Sequence, residues 1–173
     1  MANRDNPHGL QFVGMDGPGF PWSQLLTKVV GYGTAFYPGD VVCRVGDGSL
    51  EILTTPGTTL ITGVNNRWGA ASTATNHEVI VSSNALFEAQ DNADTDGFAA
   101  ADLGLNVNVE CNAGSATKLT SGHELDESTL QTTATLDVHL IELLPVPDNA
   151  HGAWGRYVVK INAHRYGTAT AGV

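Results

Sequence analysis

Apolar and polar residues alternate with a period of two along much of this chain. The clearest run is Leu105-Asn106-Val107-Asn108-Val109-Glu110-Cys111-Asn112, where every second residue is apolar. That spacing sets one face of a strand in a core and the other in water. Tyr157, Val159, Ile161 and Ala163 repeat it against Arg156, Val158, Lys160, Asn162 and His164. Val41, Cys43 and Val45, then Gly46-Asp47-Gly48, then residues 50–53 predict a β-hairpin with suitable turn chemistry. Residues 59–64 predict a short strand ended by Asn65-Asn66, and residues 77–82 another with Val79 and Val81 on its apolar face. Residues 137–144 alternate poorly and end apolar on both faces, which predicts a strand buried on two sides or one at a subunit contact. Helical signals are few. Residues 98–103 predict one turn, and residues 121–130 another from the capping-box spacing Ser121-x-x-Glu124. Neither is long enough to be stable alone. Residues 68–76 and 90–97 read as loops, and no internal repeat is present. The expected fold is all-β, a small barrel or sandwich with one or two short helical turns.

The first thirty-two residues break the pattern. Pro7, Pro18 and Pro21 and the glycines at 9, 14, 17, 19 and 31 interrupt any periodic run. Leu10, Phe12, Val13, Phe20 and Trp22 are nevertheless too apolar for a solvated tail. An extended segment with isolated large anchors needs a surface to lie on. That surface is either another subunit or the chain's own core, crossed as a strap. The expected organisation is an N-terminal arm over residues 1–32 and a single β domain over 33–173.

A chain of 173 residues buries roughly 70 % of its unfolded surface, enough for a substantial core. Its formal charge is −10. Nucleic-acid binding needs Lys and Arg to replace counterions around phosphate, so neither nucleic acid nor an anionic membrane surface is an expected partner. The charge is uneven: residues 86–148 hold twelve acids and one base, Lys118, while residues 149–173 hold Arg156, Lys160 and Arg165 and no acid. Such opposed zones either set register between neighbouring subunits or simply keep the surface soluble. The N-terminus lacks the continuous apolar stretch of a secretory leader, and no run approaches the roughly 20 apolar residues of a membrane span. The product is expected to stay in the cytoplasm where it is made, with Cys43 and Cys111 as buried thiols on their strands' apolar faces.

Candidate chemistry is sparse. Asn92-x-Asp94-x-Asp96-Gly97 has the opening of a calcium loop, but Leu103 stands where a bidentate glutamate is needed. An acidic Asx-turn has the same composition. His8, His77, His123, His139, His151 and His164 show no ligand spacing. There is no G-x-S-x-G, and neither cysteine carries a nucleophile signature. Gly46-Asp47-Gly48 sits in a hairpin with an acid that would repel phosphate, and Asp126-Glu127 lies in a polar turn. No catalytic, metal or cofactor residue is nominated, and no cofactor is expected. Trp22, Trp68 and Trp154 each stand beside glycine or proline or in a loop-like context, as interface anchors or as plugs of a small barrel.

Two segments carry a family resemblance. MANRDNPHGL with the apolar-aromatic step after it resembles the N-terminus of tailed-phage head decoration (cement) proteins. Residues 121–166 resemble the same family: an acidic Ser/Thr turn, a strand ending in Leu-Pro, an Asp148-Asn149 corner, a Gly-aromatic step and a last strand ending Ile161-Asn162-x-His164. The resemblance implies a β-tulip-like structural protein rather than an enzyme. It would sit on the outer capsid surface of the virion, bind the major capsid protein, and associate with itself, as a homotrimer at first expectation. Leu10, Phe12, Phe20, Trp22, Trp68 and Trp154 are then the expected capsid or subunit contacts. A tail-tube or neck protein, expected as a hexameric ring, and a β-class carbohydrate-binding module with Trp68 near Asn65-Asn66 are the alternatives.

Overall fold

The computed structural model describes residues 3–173; Met1 and Ala2, the start of the expected arm, lie outside the described residues. In chain order the strands are β1 (Gln11–Met15), β2 (Ser23–Lys28), β3 (Val41–Arg44), β4 (Leu50–Ile52), β5 (Ile61–Asn65), β6 (Thr75–Ile80), β7 (Ala85–Gln90), β8 (Asn106–Ser115), β9 (Thr120–Gln131), β10 (Val138–Leu143) and β11 (Arg156–Ile161). They form a six-stranded sheet ordered β1-β7-β11-β10-β8-β9 and a five-stranded sheet ordered β2-β6-β5-β3-β4. All strand pairings are antiparallel. The architecture is all-β and sandwich-like, without a closed barrel. One short 3₁₀ turn at Ala100–Asp102 falls where a helical turn was expected.

The alternation places the main core between the sheets. Val41, Ile61, Val64 and Ile80 of the smaller sheet meet Phe87, Val109, Leu125, Leu140 and Val159 of the larger. A second cluster of Leu26, Phe36, Val42, Leu50, Ile52 and Val79 lies on the other face of the five-stranded sheet. Val41 and Val42 belong to different clusters, so β3 is buried on both sides. Both sheets curl. The edges β2 and β4 return to within 8 Å of each other, and Tyr32 accepts the Ile52 N–H through its hydroxyl at 3.2 Å. At the other end, Asp91 bridges Leu125 of β9, and Asn92 N–H donates to the Leu125 carbonyl at 3.0 Å.

Three expectations are corrected. First, the segment 1–32 is not found as an extended arm. It supplies one strand to each sheet, β1 on β7 and β2 on β6. Leu10 is 1 % exposed inside the main core, so the strap over its own core is the arrangement seen. Gly9, at φ +70°, permits this: a Cβ there would meet the Gly39 carbonyl at 2.4 Å, and Leu10 N–H donates to that same oxygen. Second, residues 121–130 are not a helical turn but part of the twelve-residue strand β9. Residues 121–125 are buried on both faces, and their antiparallel pairing with β8, from Val109–Leu125 to Asn112–Gly122, overrides the capping-box spacing. Third, Asn162, expected on the wet face of the last strand, is 6 % exposed. Its amide donates to the Ala134 and Leu136 carbonyls, and its oxygen accepts from Thr170 N–H of the C-terminal segment. The poor alternation of β10 has a local cause: Leu140 pairs with Val159 and Glu142 with Val158, so Ile141 is an inserted bulge residue.

Removing residues 1–24 takes out β1, Leu10 and the first residues of β2. The expected outcome is a chain without cooperative urea unfolding; a sharp transition in the truncated protein would show that these strands are dispensable. Ile161→Ala should lose about 2–5 kcal/mol by cavity formation. Lys160→Ala, which breaks a part-exposed pair with Asp16 at 2.8 Å, should lose under about 1 kcal/mol in the same assay. Equal losses would contradict the facing described.

Candidate functional site

The nominated contact residues occupy separate elements. Leu10 is withdrawn as a contact, because its side chain is enclosed by its own core. Phe12 is partly exposed on β1 and packs edge-on against Phe87, with ring centroids 6.2 Å apart. Phe20 and Trp22, in the β1–β2 connection, are 94 % and 59 % exposed. Trp22 is nonetheless pinned, since its carbonyl accepts from Val81 N–H at 2.9 Å. Trp68 is exposed in the β5–β6 loop, and Trp154 is partly exposed in the β10–β11 connection. None of the three tryptophans plugs a barrel.

Of these residues, Trp154 lines a cavity of about 640 Å³. The N-terminal segment forms one wall, with Gln90, the Asp148-Asn149 corner and Arg156 forming the rest. Side-chain amides build the frame, of which only that of Gln90 belongs to a buried residue. Gln90 donates to the Arg4 and Trp154 carbonyls and accepts from Asn6 N–H. Asn149 donates to the Leu144 and Arg156 carbonyls and accepts from Arg156 N–H. Asn3 ties the N-terminus to Ala150 and Ala153. His8 contacts Glu88 at 3.0 Å, which raises its pKa, and Arg156 shares that carboxylate at 3.3 Å.

Asp91 joins the cavity to the sheet closure. One carboxylate oxygen accepts from Ala93 N–H at 3.1 Å and Trp154 N–H at 3.2 Å; the other is buried and has no hydrogen-bond partner among the described residues. Burial first, and then the charge of Glu127, push Asp91 up to about 7. Burial likewise raises Glu124 to about 7, with Asp5, Glu110 and Asp91 adding to the shift. The Asn92–Gly97 loop is tied down locally: Asp94 N–H donates to the Asn92 side chain, and Gly97 N–H and the Thr95 hydroxyl donate to Glu127. The Asp94 N–H to Asn92 contact has the form of an Asx-turn. Gly97, at φ +77°, lets the loop press on Gly152, whose carbonyl carbon lies 2.0 Å from where a Cβ would stand. Among the described residues, no group of three or more His, Cys, Asp and Glu side chains is placed to hold a metal ion.

A second cavity of about 390 Å³ is lined by Asp40, Cys111 and His123. Cys111 and His123 stand opposite one another across β8 and β9, a placement that neither sequence neighbourhood signals. Burial drives the thiol up to about 12 and the imidazole down to about 4, so the pair stays neutral. His123 Nδ1 is already engaged by Val41 N–H at 3.1 Å, leaving it unsuited to take the thiol proton. Cys43 is a buried free thiol as expected, and Cys111 is only partly buried. His77 is enclosed, with its ring nitrogens on Asn65 and Thr75. No helix among the described residues is long and apolar enough to cross a membrane.

Comparison with known proteins found no matching family model, no matching curated protein and no matching solved structure.

The buried ionisable groups oppose one another in their pH dependence. Asp91, Glu124 and Asp40 hold protons more tightly folded than at their ordinary values of 3.8, 4.5 and 3.8, with Asp40 raised to about 6. Their contribution to stability is greatest in acid and falls as pH rises through about 4 to 7. His123 and His164, both lowered to about 4, contribute stability that is lost as pH falls from 6.5 to about 4. The three acids outnumber the two imidazoles, so the combined contribution of these groups should fall as pH rises from about 4.5 to about 7.5. Asp91→Asn should shrink the difference in urea midpoint between pH 5 and pH 8, whatever its effect at either pH. An unchanged difference would remove Asp91 from the titration.

Proposed function

We propose that the chain is a structural virion protein, a decoration or cement protein on the outside of the expanded phage head. In this reading it bridges neighbouring major capsid subunits and stabilises the shell by mass action, with no bond-making chemistry. The observation that supports it best is the run of exposed apolar side chains Phe20, Trp22, Leu25 and Val30, at 94, 59, 69 and 73 % exposure. They lie within one short segment anchored to β6 by the β2 ladder. Large side chains already held on a framework give up less conformational freedom on docking than a loose arm would. The resemblance of residues 1–10 and 121–166 to cement proteins supports the same reading, and homotrimeric association follows from that resemblance. Phe12, Phe20 and Trp22 are the proposed principal contacts, with the uneven surface charge steering approach.

Purified chain added to expanded, undecorated capsids should bind to saturation and raise their resistance to heat. A Phe20→Ser/Trp22→Ser variant, which alters exposed positions, should keep its own unfolding midpoint and bind at least about tenfold more weakly. High salt should slow association more than it weakens the finished complex. Capsids that fail to bind the protein at low salt, at any concentration, would overturn the reading; hexameric rings in solution would favour a tail or neck component.

A further inference from the structure

We propose that the cavity beside Trp154 is a binding site for a neutral saccharide. This goes beyond capsid attachment and rests on different residues from the proposed capsid contacts.

The cavity has a rigid frame and a separate set of uncommitted groups. The amides of Asn3, Gln90 and Asn149 are all engaged with backbone, and Gln90 is 2 % exposed. Among the described residues, the side chains of Arg4, Asp5 and Asp148 and the Trp154 indole N–H make no hydrogen bond, yet all four residues line the same space. About 640 Å³ lies in the usual range for small-molecule sites. Two residues there hold left-handed backbone, Asp148 at φ +65° and Trp154 at φ +57°. Strain of this kind persists where surrounding contacts over-determine it, and it concentrates at ligand-binding positions. Here those contacts are the Asn149 amide beside Asp148 and the Asp91 carboxylate on Trp154 N–H.

The chemistry of the free groups selects the ligand. The free charged groups are one guanidinium, Arg4, and two carboxylates, Asp5 and Asp148, since Arg156 is already shared with Glu88; this mixed set lacks the clustered guanidinium groups that a strong anion needs. A hydroxyl both donates and accepts, and it is satisfied by guanidinium and carboxylate groups placed around one space. An indole offers a flat apolar body with a polar N–H at its edge. A pyranose ring presents the complementary pair: a face of C–H groups and a rim of hydroxyls. The site does not include Trp68, which lies in a different loop and lines none of this cavity.

The test titrates the full-length protein with methyl glycosides of glucose, galactose, mannose and N-acetylglucosamine, with a β-linked trisaccharide of each of the four, and with sialyllactose as the charged comparison. Ligand-observed NMR and tryptophan fluorescence report binding. At least one neutral probe should bind at millimolar concentration. Trp154→Asn keeps a residue type that tolerates left-handed backbone but removes the indole, and should weaken binding at least about tenfold. Arg4→Ala, at an exposed position, should weaken it as well, while Trp68→Ala should leave it unchanged. Unfolding midpoints of each variant separate lost binding from lost fold. Failure of every neutral probe, binding of sialyllactose alone, or binding that survives in a folded Trp154→Asn protein would each overturn the proposal. Capsid binding by the same preparations is scored separately, so loss of one activity does not decide the other.

Discussion

Asp91, through its backbone and its carboxylate, holds together two things that would otherwise be independent: the curl of the larger sheet and the shape of its open end. Its backbone bridges Leu125, which brings the far strand β9 back toward the end of β7. Its side chain fixes Ala93 and Trp154. A curled sheet leaves strand edges whose backbone groups need partners. This bridge is one answer, and the Tyr32 hydroxyl on Ile52 N–H, at the opposite sheet, is another. The cost is a buried acid beside Glu127, and the raised pKa is the sign of that cost. A neutral side chain would avoid the repulsion. It would also give up the charge-assisted hold on two N–H groups that positions the cavity wall.

The strands that were legible in the sequence are those whose burial follows side-chain polarity. β8, β11 and the β3–β4 hairpin have an apolar face toward the core, a turn of suitable residues, or both. β9 was not legible because its inward face includes Ser121 and His123, polar residues made acceptable by local hydrogen bonds such as Val41 N–H to His123. β1 hides for another reason. Val13 is a bulge between Phe12 and Gly14, so the five-residue strand changes facing halfway. β2 shows Leu25 to solvent and buries Lys28, the reverse of what polarity suggests. Proline and glycine around both strands mark the connections correctly; they do not exclude short strands between them.

The candidate site was legible in part. Trp154 stood out in the sequence as an aromatic beside glycine and a possible interface anchor, while Asp148-Asn149 stood out only as a corner within the family resemblance. The cavity itself was beyond reach, because its frame joins Asn3, Gln90 and Asn149, which no local spacing relates. Each uses a side-chain amide to replace a backbone partner that a loop lacks. In sequence such residues look like ordinary loop polars. The Cys111–His123 pair shows the opposite hazard: two reactive residue types meet across strands, yet burial keeps both neutral.

Charge and anchor are kept apart in this molecule. Between Gly17 and Gly31 the only charged residue is Lys28, and it is fully buried. Its ammonium donates to the Thr34 carbonyl at 3.4 Å and to that of Ala70, and it lies 5.2 Å from the Phe36 ring centroid. Desolvation lowers its pKa, so it is held at a cost. In return, the chain leaving β2 is tied to the loop after Gly69, and Val30 remains outward while Phe36 turns in. The exposed strip from Phe20 to Val30 consequently bears no exposed charge on a protein of net charge −10. The ion a partner would meet in closing on that strip is Glu78 of β6, which stands opposite Leu25 and accepts from the Ser23 hydroxyl at 3.0 Å. The acidic surface then acts at longer range, slowing like-charged encounters and orienting the rest.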